Sequence, residues 1–436
     1  MRPFALPLLA IAALLITSHA VAEDTTNPAT TLVGEVPAPL FVGTTLEQDV
    51  DRLMAKAAEA STTAPLPDTL LERLRSAKQG DTIDMSAWDM EAVRLLPLAK
   101  TAGGPPMLFS DDPEYIRLPQ GAVLRERVNP GPTRMYLYHC NGTDVGPRRI
   151  TAVMRNLSDE PMTLRITRRA FPGVSLDYGY LGRTGIRDFL GEQKNLPAPR
   201  VIAPGGSDVI DAQIEAARVR RDELLHAWIE FETDQPGEVT ILQTDPETPG
   251  PVANDAIHEL IPPKGTSGAG RGHFAYSEYE VRPAAGLTLD TASGARQLLV
   301  ADGRFDRWLT GFDSTRTTSP SVLKGNYGVV YRFRIPRAAT DGRSLALMVW
   351  NVRTVRGCGG MSGCVEVNAG RFPAGLVMVP TDKGVLVGND KAVLLQVYPP
   401  PADGADDVVE FTYSPPGASC LPTPLLLLPF DAGSGD

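Results

Sequence analysis

The stretch Asp177-Tyr178-Gly179-Tyr180-Leu181-Gly182-Arg183-Thr184-Gly185-Ile186-Arg187-Asp188 gathers the side chains best suited to hold a polar ligand. Tyr178 and Tyr180 can stack on a sugar face, while Arg183 and Arg187 can grip hydroxyls or a carboxylate through paired N–H groups. That chemistry suits an anionic glycan. Gly179, Gly182 and Gly185 recur every three residues, a spacing that matches neither the G-x-G-x-x-G fingerprint nor the P-loop, so nucleotide binding is excluded. The competing reading is a long crossover with a short helix near Thr184 to Leu190, its glycines only permitting turns.

Other reactive residue types are scattered. His139, His226, His258 and His273 each stand alone, without the spacing that sets two imidazoles on one helix or strand face. The pair His139-Cys140 invites a blue-copper reading, but no further His or Met lies between Cys140 and Thr151. No metal and no cofactor is expected. Gly360-Met361-Ser362-Gly363 falls one residue short of the Gly-x-Ser-x-Gly elbow of a serine nucleophile. Glycoside hydrolysis needs two carboxylates about 5–10 Å apart. Asp177, Asp188, Glu278, Asp306 and Asp313 are loop-placed options, and the sequence does not pair them. Asn141-Gly142-Thr143 and Asn156-Leu157-Ser158 fit the glycosylation acceptor pattern and read as turns.

The chain must therefore be understood through the elements that carry these residues. Arg2, the apolar run Pro3 to Thr17 and the small residues Ala20 and Ala22 form a secretory signal cleaved before Glu23, since the run falls short of the roughly 20 residues that span a bilayer. This predicts a periplasmic or secreted protein with no transmembrane segment after cleavage. Export favours disulfides, and all four cysteines follow the signal. The expected pairs are Cys358 with Cys364, across a glycine-rich loop, and Cys140 with Cys420. The formal charge of -10, spread along 436 residues, excludes a nucleic-acid partner because phosphate binding needs a basic face.

Pro (39) and Gly (41) outnumber the aromatics, a texture of many short strands rather than long helices. Residues 23–42 read as a flexible leader. Leu46, Val50, Leu53, Met54 and Ala57 make one apolar helical stripe that Thr45 can cap, and Leu70, Leu71 and Leu74 mark a second helix from Pro67 to Lys78 stopped by Gly80. From Pro105 the pattern turns to strands: Ala122–Leu124, Arg134–His139, Ile150–Arg155 and Met162–Thr167, the last two forming a hairpin across Asn156–Pro161. Val201-Ile202, Trp228–Phe231 and Val239–Leu242 follow, with a short helix within Asp211–Leu225. The Pro-rich stretch within Asp245 to Gly270 reads as a linker. Later strands are Gln297–Ala301, Gly328–Ile335, Leu345–Asn351, Gly375–Val379, Ala392–Tyr398 and Val408–Thr412, separated in part by the loops Asp302–Lys324 and Arg353–Pro373. The expected fold is mainly β: two antiparallel β-sandwich units preceded by a short helical N-terminal region. Its parts are the signal (1–22), leader and helices (23–104), first sandwich (105–248), linker (249–270), second sandwich (271–430) and tail (431–436).

Four stretches carry a resemblance: Phe109-Ser110-Asp111-Asp112-Pro113-Glu114, Arg134-Met135-Tyr136-Leu137-Tyr138-His139, Gly325-Asn326-Tyr327-Gly328-Val329-Val330-Tyr331-Arg332 and Pro415-Pro416-Gly417-Ala418-Ser419-Cys420-Leu421-Pro422. Together they resemble a group of secreted bacterial β-rich proteins of unknown function, some joined to a module similar to the N-terminal domain of copper amine oxidases. The likeness runs from about Pro105 to Pro429 and implies a fold and an address, without catalytic residues. Cys420 departs from an Asn- or Ser-rich position of that pattern, so the resemblance lends the expected disulfides no support. The function expected on these grounds is non-catalytic recognition of carbohydrate or a protein at the cell envelope. A polysaccharide hydrolase or lyase, and a purely structural envelope component, are the rivals.

Overall fold

The computed structural model describes residues 30–33, 45–59, 65–263, 269–284, 286–316, 319–352, 360–382, 384–401 and 407–433. The signal (1–22), most of the expected leader, Cys358 and the end of the tail lie outside them. The chain is mainly β. Among the described residues, no helix is long and apolar enough to cross a membrane.

Four large sheets stack into two sandwiches. In the first, an outer sheet runs in the order Ser207–Val209, Arg149–Asn156, Gly237–Thr244, Gly121–Val128. A central sheet faces it, in the order Arg200–Ile202, Met162–Ala170, Leu224–Thr233, Gly131–Asn141, Met107–Ser110, Arg271–Phe274. Side chains alternate along Gly131–Asn141 as a strand requires. Met135 and Leu137 point into the core shared with the outer sheet, while Tyr136, Tyr138 and Cys140 join the core of the second sandwich. The central sheet is thus apolar on both faces.

The second sandwich pairs a flanking sheet with a helix-backed one. The flanking sheet runs Thr30–Val33, Leu98–Gly103, Glu278–Pro283, Val330–Ala338, Asp407–Tyr413, Gly363–Val367, Gly375–Val379. The helix-backed sheet runs Arg296–Val300, Thr423–Phe430, Ser344–Trp350, Lys391–Tyr398, Thr82–Asp84. Leu345, Leu347 and Val349 fill the core between these sheets, whereas Ala346, Met348 and Trp350 lie under helices α1 (Thr45–Glu59) and α2 (Asp68–Ser76). Two covered faces explain the unbroken apolar run Leu425–Leu428, since Leu425 and Leu427 face one core and Leu426 and Leu428 the other. Each such Leu or Met contributes roughly 1.5–3 kcal/mol relative to exposure. Val50, Leu53, Ala57, Leu70 and Leu74 are buried, as the helical stripes predict.

Several expectations need correction. The strands Arg149–Asn156 and Met162–Ala170 do not form a hairpin, because the first pairs within the outer sheet and the second within the central sheet. Wholly buried Asn156 holds the arch between them. Its amide donates to the carbonyls of Glu160 (2.7 Å), Ile202 (3.1 Å) and Ala203 (3.3 Å), and its Oδ1 accepts from Ser158 N–H. Part of the expected linker is the helix Gly250–Ala256, whose Ala253 packs with Ala122, Val153 and Leu242 of the outer sheet. Residues assigned to leader and helices, Thr30–Val33, Thr82–Asp84 and Leu98–Gly103, are strands of the second sandwich, and Arg271–Phe274 crosses back into the central sheet. The sheets are also mixed, with Met107–Ser110 parallel to Gly131–Asn141 and Glu278–Pro283 parallel to Val330–Ala338.

The sandwiches meet where glycines let backbone touch aromatic rings. A Cβ on Gly417 would stand 2.2 Å from Tyr138, and the Gly417 N–H donates to the Tyr136 hydroxyl at 3.1 Å. Gly417→Ala should therefore destabilise the fold by about 1–3 kcal/mol through overpacking. Gly103→Ala, with no atom within 4 Å of the new methyl, should stay within about 0.5 kcal/mol of the parent in the same urea titration. Equal stability of the two variants would refute this contact.

Candidate functional site

The tyrosine and arginine stretch folds as α3 (Tyr178–Leu190), longer than the expected helix because Asp177 caps it, its Oδ1 accepting from Tyr180 N–H at 2.9 Å. Close approach explains two of its glycines. A Cβ on Gly182 would meet the Gly417 carbonyl at 2.3 Å, and one on Gly185 would meet the His226 ring at 2.5 Å. Phe189 lies flat on Trp228 with centroids 4.0 Å apart. The helix is a wedge between the central and flanking sheets.

That role scatters the four proposed ligand residues. Arg183 is buried and its guanidinium donates to the carbonyls of Pro380, Asp382 and Gly384 at 3.0–3.2 Å. Arg187 binds its neighbour Asp188, and Tyr180 is exposed. Tyr178 turns inward, its hydroxyl 2.8 Å from that of Tyr115 and accepting from the Cys140 thiol at 3.3 Å.

The expected disulfides do not form. Cys140 and Cys364 are free, buried thiols, which removes both the Cys358–Cys364 and the Cys140–Cys420 pairings. Cys140 and Cys364 sit on strands of different sheets, and burial pushes each thiol up to about 12. Cys420 is not a free thiol. The carboxylates considered for hydrolysis have structural partners: Glu278 holds Arg134 and Arg332, Asp306 holds Lys100 and Tyr331, and Asp313 holds Arg271. Both acceptor-pattern asparagines are wholly buried Asx turns, Asn141 accepting from Thr143 N–H and Asn156 from Ser158 N–H, each at 2.9 Å. Among the described residues no metal-ligating group of three converges.

The polar site that does assemble was not singled out as such in the sequence. It is built on Arg271, 1 % exposed on the edge strand of the central sheet. Its Nε donates to Asp313 Oδ2 (2.9 Å), Nη1 to the carbonyls of Asp112 (3.1 Å) and Ile261 (2.7 Å), and Nη2 to Thr315 Oγ1 (2.9 Å). One cation thereby fixes three loops. Between two of them opens a cleft of about 470 Å³, walled by Asp111, Asp112, Glu114, Tyr115 and Arg117 on one side and Ile261, Pro262 and Pro263 on the other. Asp111 Oδ1 is shut away from solvent without a hydrogen-bond partner. Burial, with the nearby charges of Glu114 and Asp112, raises Asp111 well above the usual carboxylate range. The shift favours the protonated form, in which a carboxyl can donate as well as accept. The Arg117 guanidinium lies 5.7 Å from the Tyr115 ring centroid. The signal available in the sequence was the run Asp111-Asp112-Pro113-Glu114 between a strand and Tyr115, and Arg271 between two glycines.

Behind the cleft, Ser110 Oγ and His139 Nε2 are 2.7 Å apart, and His139 Nδ1 is 2.9 Å from the Pro113 carbonyl. A carbonyl only accepts, so Nδ1 carries the proton and Nε2 accepts from the serine. Both side chains are 0 % exposed, which makes this pair an internal support of the loop rather than a reachable nucleophile.

Comparison with known proteins adds little. No family model matches the chain, and no curated protein matches it. Among solved structures it is similar to the 7S globulin of Momordica charantia, at 9 % identity over 77 % of this chain and 73 % of that one with a TM-score of 0.12. It is also similar to a mutant Bacillus subtilis oxalate decarboxylase (9 %, 92 % and 89 %, TM-score 0.13) and to vicilin from Capsicum annuum (10 %, 71 % and 75 %, TM-score 0.12). Likenesses this weak carry no argument about fold or function.

Two outcomes follow from this geometry. Arg271→Met leaves the buried Asp313 carboxylate with only Arg316, 3.7 Å away, and frees three loops from their common tie, so it should cost about 3–5 kcal/mol in chemical denaturation, and a loss below about 1 kcal/mol would contradict the anchoring role. Burial lowers His139 and His226 to about 4, so below their ordinary 6.5 the unfolded chain binds protons that the folded chain refuses. Stability is then full above pH 6.5 and falls toward pH 4, by up to about 3 kcal/mol per ring. Proton NMR of the two imidazoles should show no titration between pH 8 and 5, whereas a midpoint near 6.5 in either ring would contradict their burial.

Proposed function

We propose that this is an exported, non-catalytic recognition protein of the periplasm or cell surface that binds carbohydrate in the cleft between Asp111–Leu118 and Ile261–Pro263. The observation that carries the reading is the cleft itself, whose wall brings together the Asp111 carboxyl, Glu114, Arg117 and the Tyr115 ring, with the buried Asp111 Oδ1 left without a hydrogen-bond partner behind it. Sugar hydroxyls both donate and accept, and planar carboxyl and guanidinium groups around an aromatic ring match that pattern. A volume near 470 Å³ lies within the range of small-molecule sites. Recognition is favoured over turnover because Glu278, Asp306 and Asp313 are bound to buried cations, which holds them to architecture. The N-terminal signal pattern supports the address.

One observation favours a hydrolase or lyase as the second reading: Asp111, shifted by burial toward its protonated form, shares the cleft wall with Glu114, as a general acid and a base would. Affinity gels containing cell-wall or exopolysaccharide preparations separate the two. The intact protein should be retarded by at least one polysaccharide, and Asp111→Asn, which keeps shape but changes the donor, should weaken retardation about tenfold. Reducing ends should not accumulate. Absence of retardation across the panel would overturn the glycan reading, and sugar release abolished by Asp111→Asn would replace binding with catalysis.

A further inference from the structure

A second groove lies across the ridge Ile257–Pro263 from the cleft, since His258 and Leu260 line the groove while Ile261, Pro262 and Pro263 line the cleft. We infer that this groove, walled by Arg127, His258, His273 and Phe312, is a further saccharide subsite that selects sugars bearing a carboxylate. The inference rests on the glycan reading of the neighbouring cleft and names the ligand class.

Phe312 is the first ground. Its ring is 58 % exposed, yet its backbone is pinned on both sides to His273, with N–H to carbonyl distances of 2.7 and 2.9 Å. Gly272 allows that approach, for a Cβ there would stand 2.0 Å from the Phe312 carbonyl. The ring is thus largely exposed on a backbone that is fixed in place. It offers a face on which the C–H side of a sugar can stack with little further loss of conformational freedom.

Charge is the second ground. The groove contains Arg125, Glu126, Arg127, Glu238, His258 and His273. Arg125 is spent on Thr240, Asn254 and the carbonyls of Ile257 and His258. Glu238 faces Arg125 at 3.8 Å. Glu126 accepts from Ser314 N–H at 2.7 Å, and burial raises it above the usual carboxylate range. Arg127 is exposed and makes no hydrogen bond or ion pair among the described residues. The uncommitted charge in the groove is thus positive, in a chain whose formal charge is -10. A guanidinium beside an aromatic face provides for a uronic acid what a carboxylate-rich wall does not.

Calorimetric titration of the full chain tests this with alginate and polygalacturonate oligomers, each against its methyl ester, which keeps the sugar and removes the charge. Wild type should bind at least one acid form about tenfold more tightly than its ester. Arg127→Gln should abolish that preference and leave ester affinity unchanged, Phe312→Ala should weaken both forms, and Asp111→Asn should weaken both equally. These groove positions are exposed, and circular dichroism verifies that the variants fold. Equal affinity for acid and ester, or a preference that survives Arg127→Gln, would overturn the inference while leaving the cleft reading intact. Failure of every glycan, charged or neutral, would remove both.

Discussion

A sheet whose middle is covered on both faces governs this molecule. The central sheet packs its Leu137 face on the outer sheet and its Tyr136 face on the second sandwich, so a polar side chain buried at its centre must find its partner inside the protein. Arg134 shows the consequence. It is 1 % exposed and engages Glu230, Glu278 and the Ser277 carbonyl, tying the central sheet to the first residue of a flanking strand. With Glu278 also bound to Arg332, the charges form a network that crosses from one sheet to the next and fixes the joint. Wedge helix α3 completes that joint, because Phe189 covers Trp228 on one side and the Arg183 guanidinium gathers the carbonyls of the Pro380–Gly384 loop on the other.

A sheet closed on both faces can meet a ligand only where its strands end. The cleft occupies such a place, immediately after the strand Met107–Ser110, and Arg271 on the neighbouring edge strand ties its two walls together. The same cation fixes Asp313, one residue from Phe312, so cleft and groove share a single anchor. The cleft is walled by loops and the groove by strand residues with loop partners, and both are tied to Arg271, so a ligand that used them would meet little ordering cost.

Much of this architecture was legible in the residues. Many strand positions and the first two helices follow from periodicity, because burial of one face writes itself into alternation or a helical stripe, whereas Leu98–Gly103, Met107–Ser110, Glu278–Pro283 and Thr423–Phe430 were not read as strands. Partnership between strands does not follow. Asn156 and the residues after it look like a hairpin turn, and only the distant carbonyls of Ile202 and Ala203 decide that the chain steps to another sheet. The disulfide expectation failed for the same reason: loop flexibility near Cys364 says nothing about a free thiol closed inside a core. Arg183 looked like a ligand residue because a sequence cannot distinguish a guanidinium facing carbonyls of its own chain from one facing solvent. Arg271 went unremarked because its partners lie as far away in sequence as Asp112.

Crowding Asp111, Asp112 and Glu114 at one strand end carries an electrostatic cost that must be relieved. A shift of Asp111 toward its protonated form eases it, with burial as the largest cause of that shift. In its protonated form that carboxyl both donates and accepts, beside Asp112 and Glu114, whose charges disfavour a phosphate or carboxylate. A hydroxyl-bearing ligand meets no such penalty. Across the ridge the balance reverses, since Glu126 and Glu238 are engaged and Arg127 is not. The two depressions are thus complementary rather than duplicate, and a single glycan spanning them would place its neutral hydroxyls beside Asp111 and its charge beside Arg127.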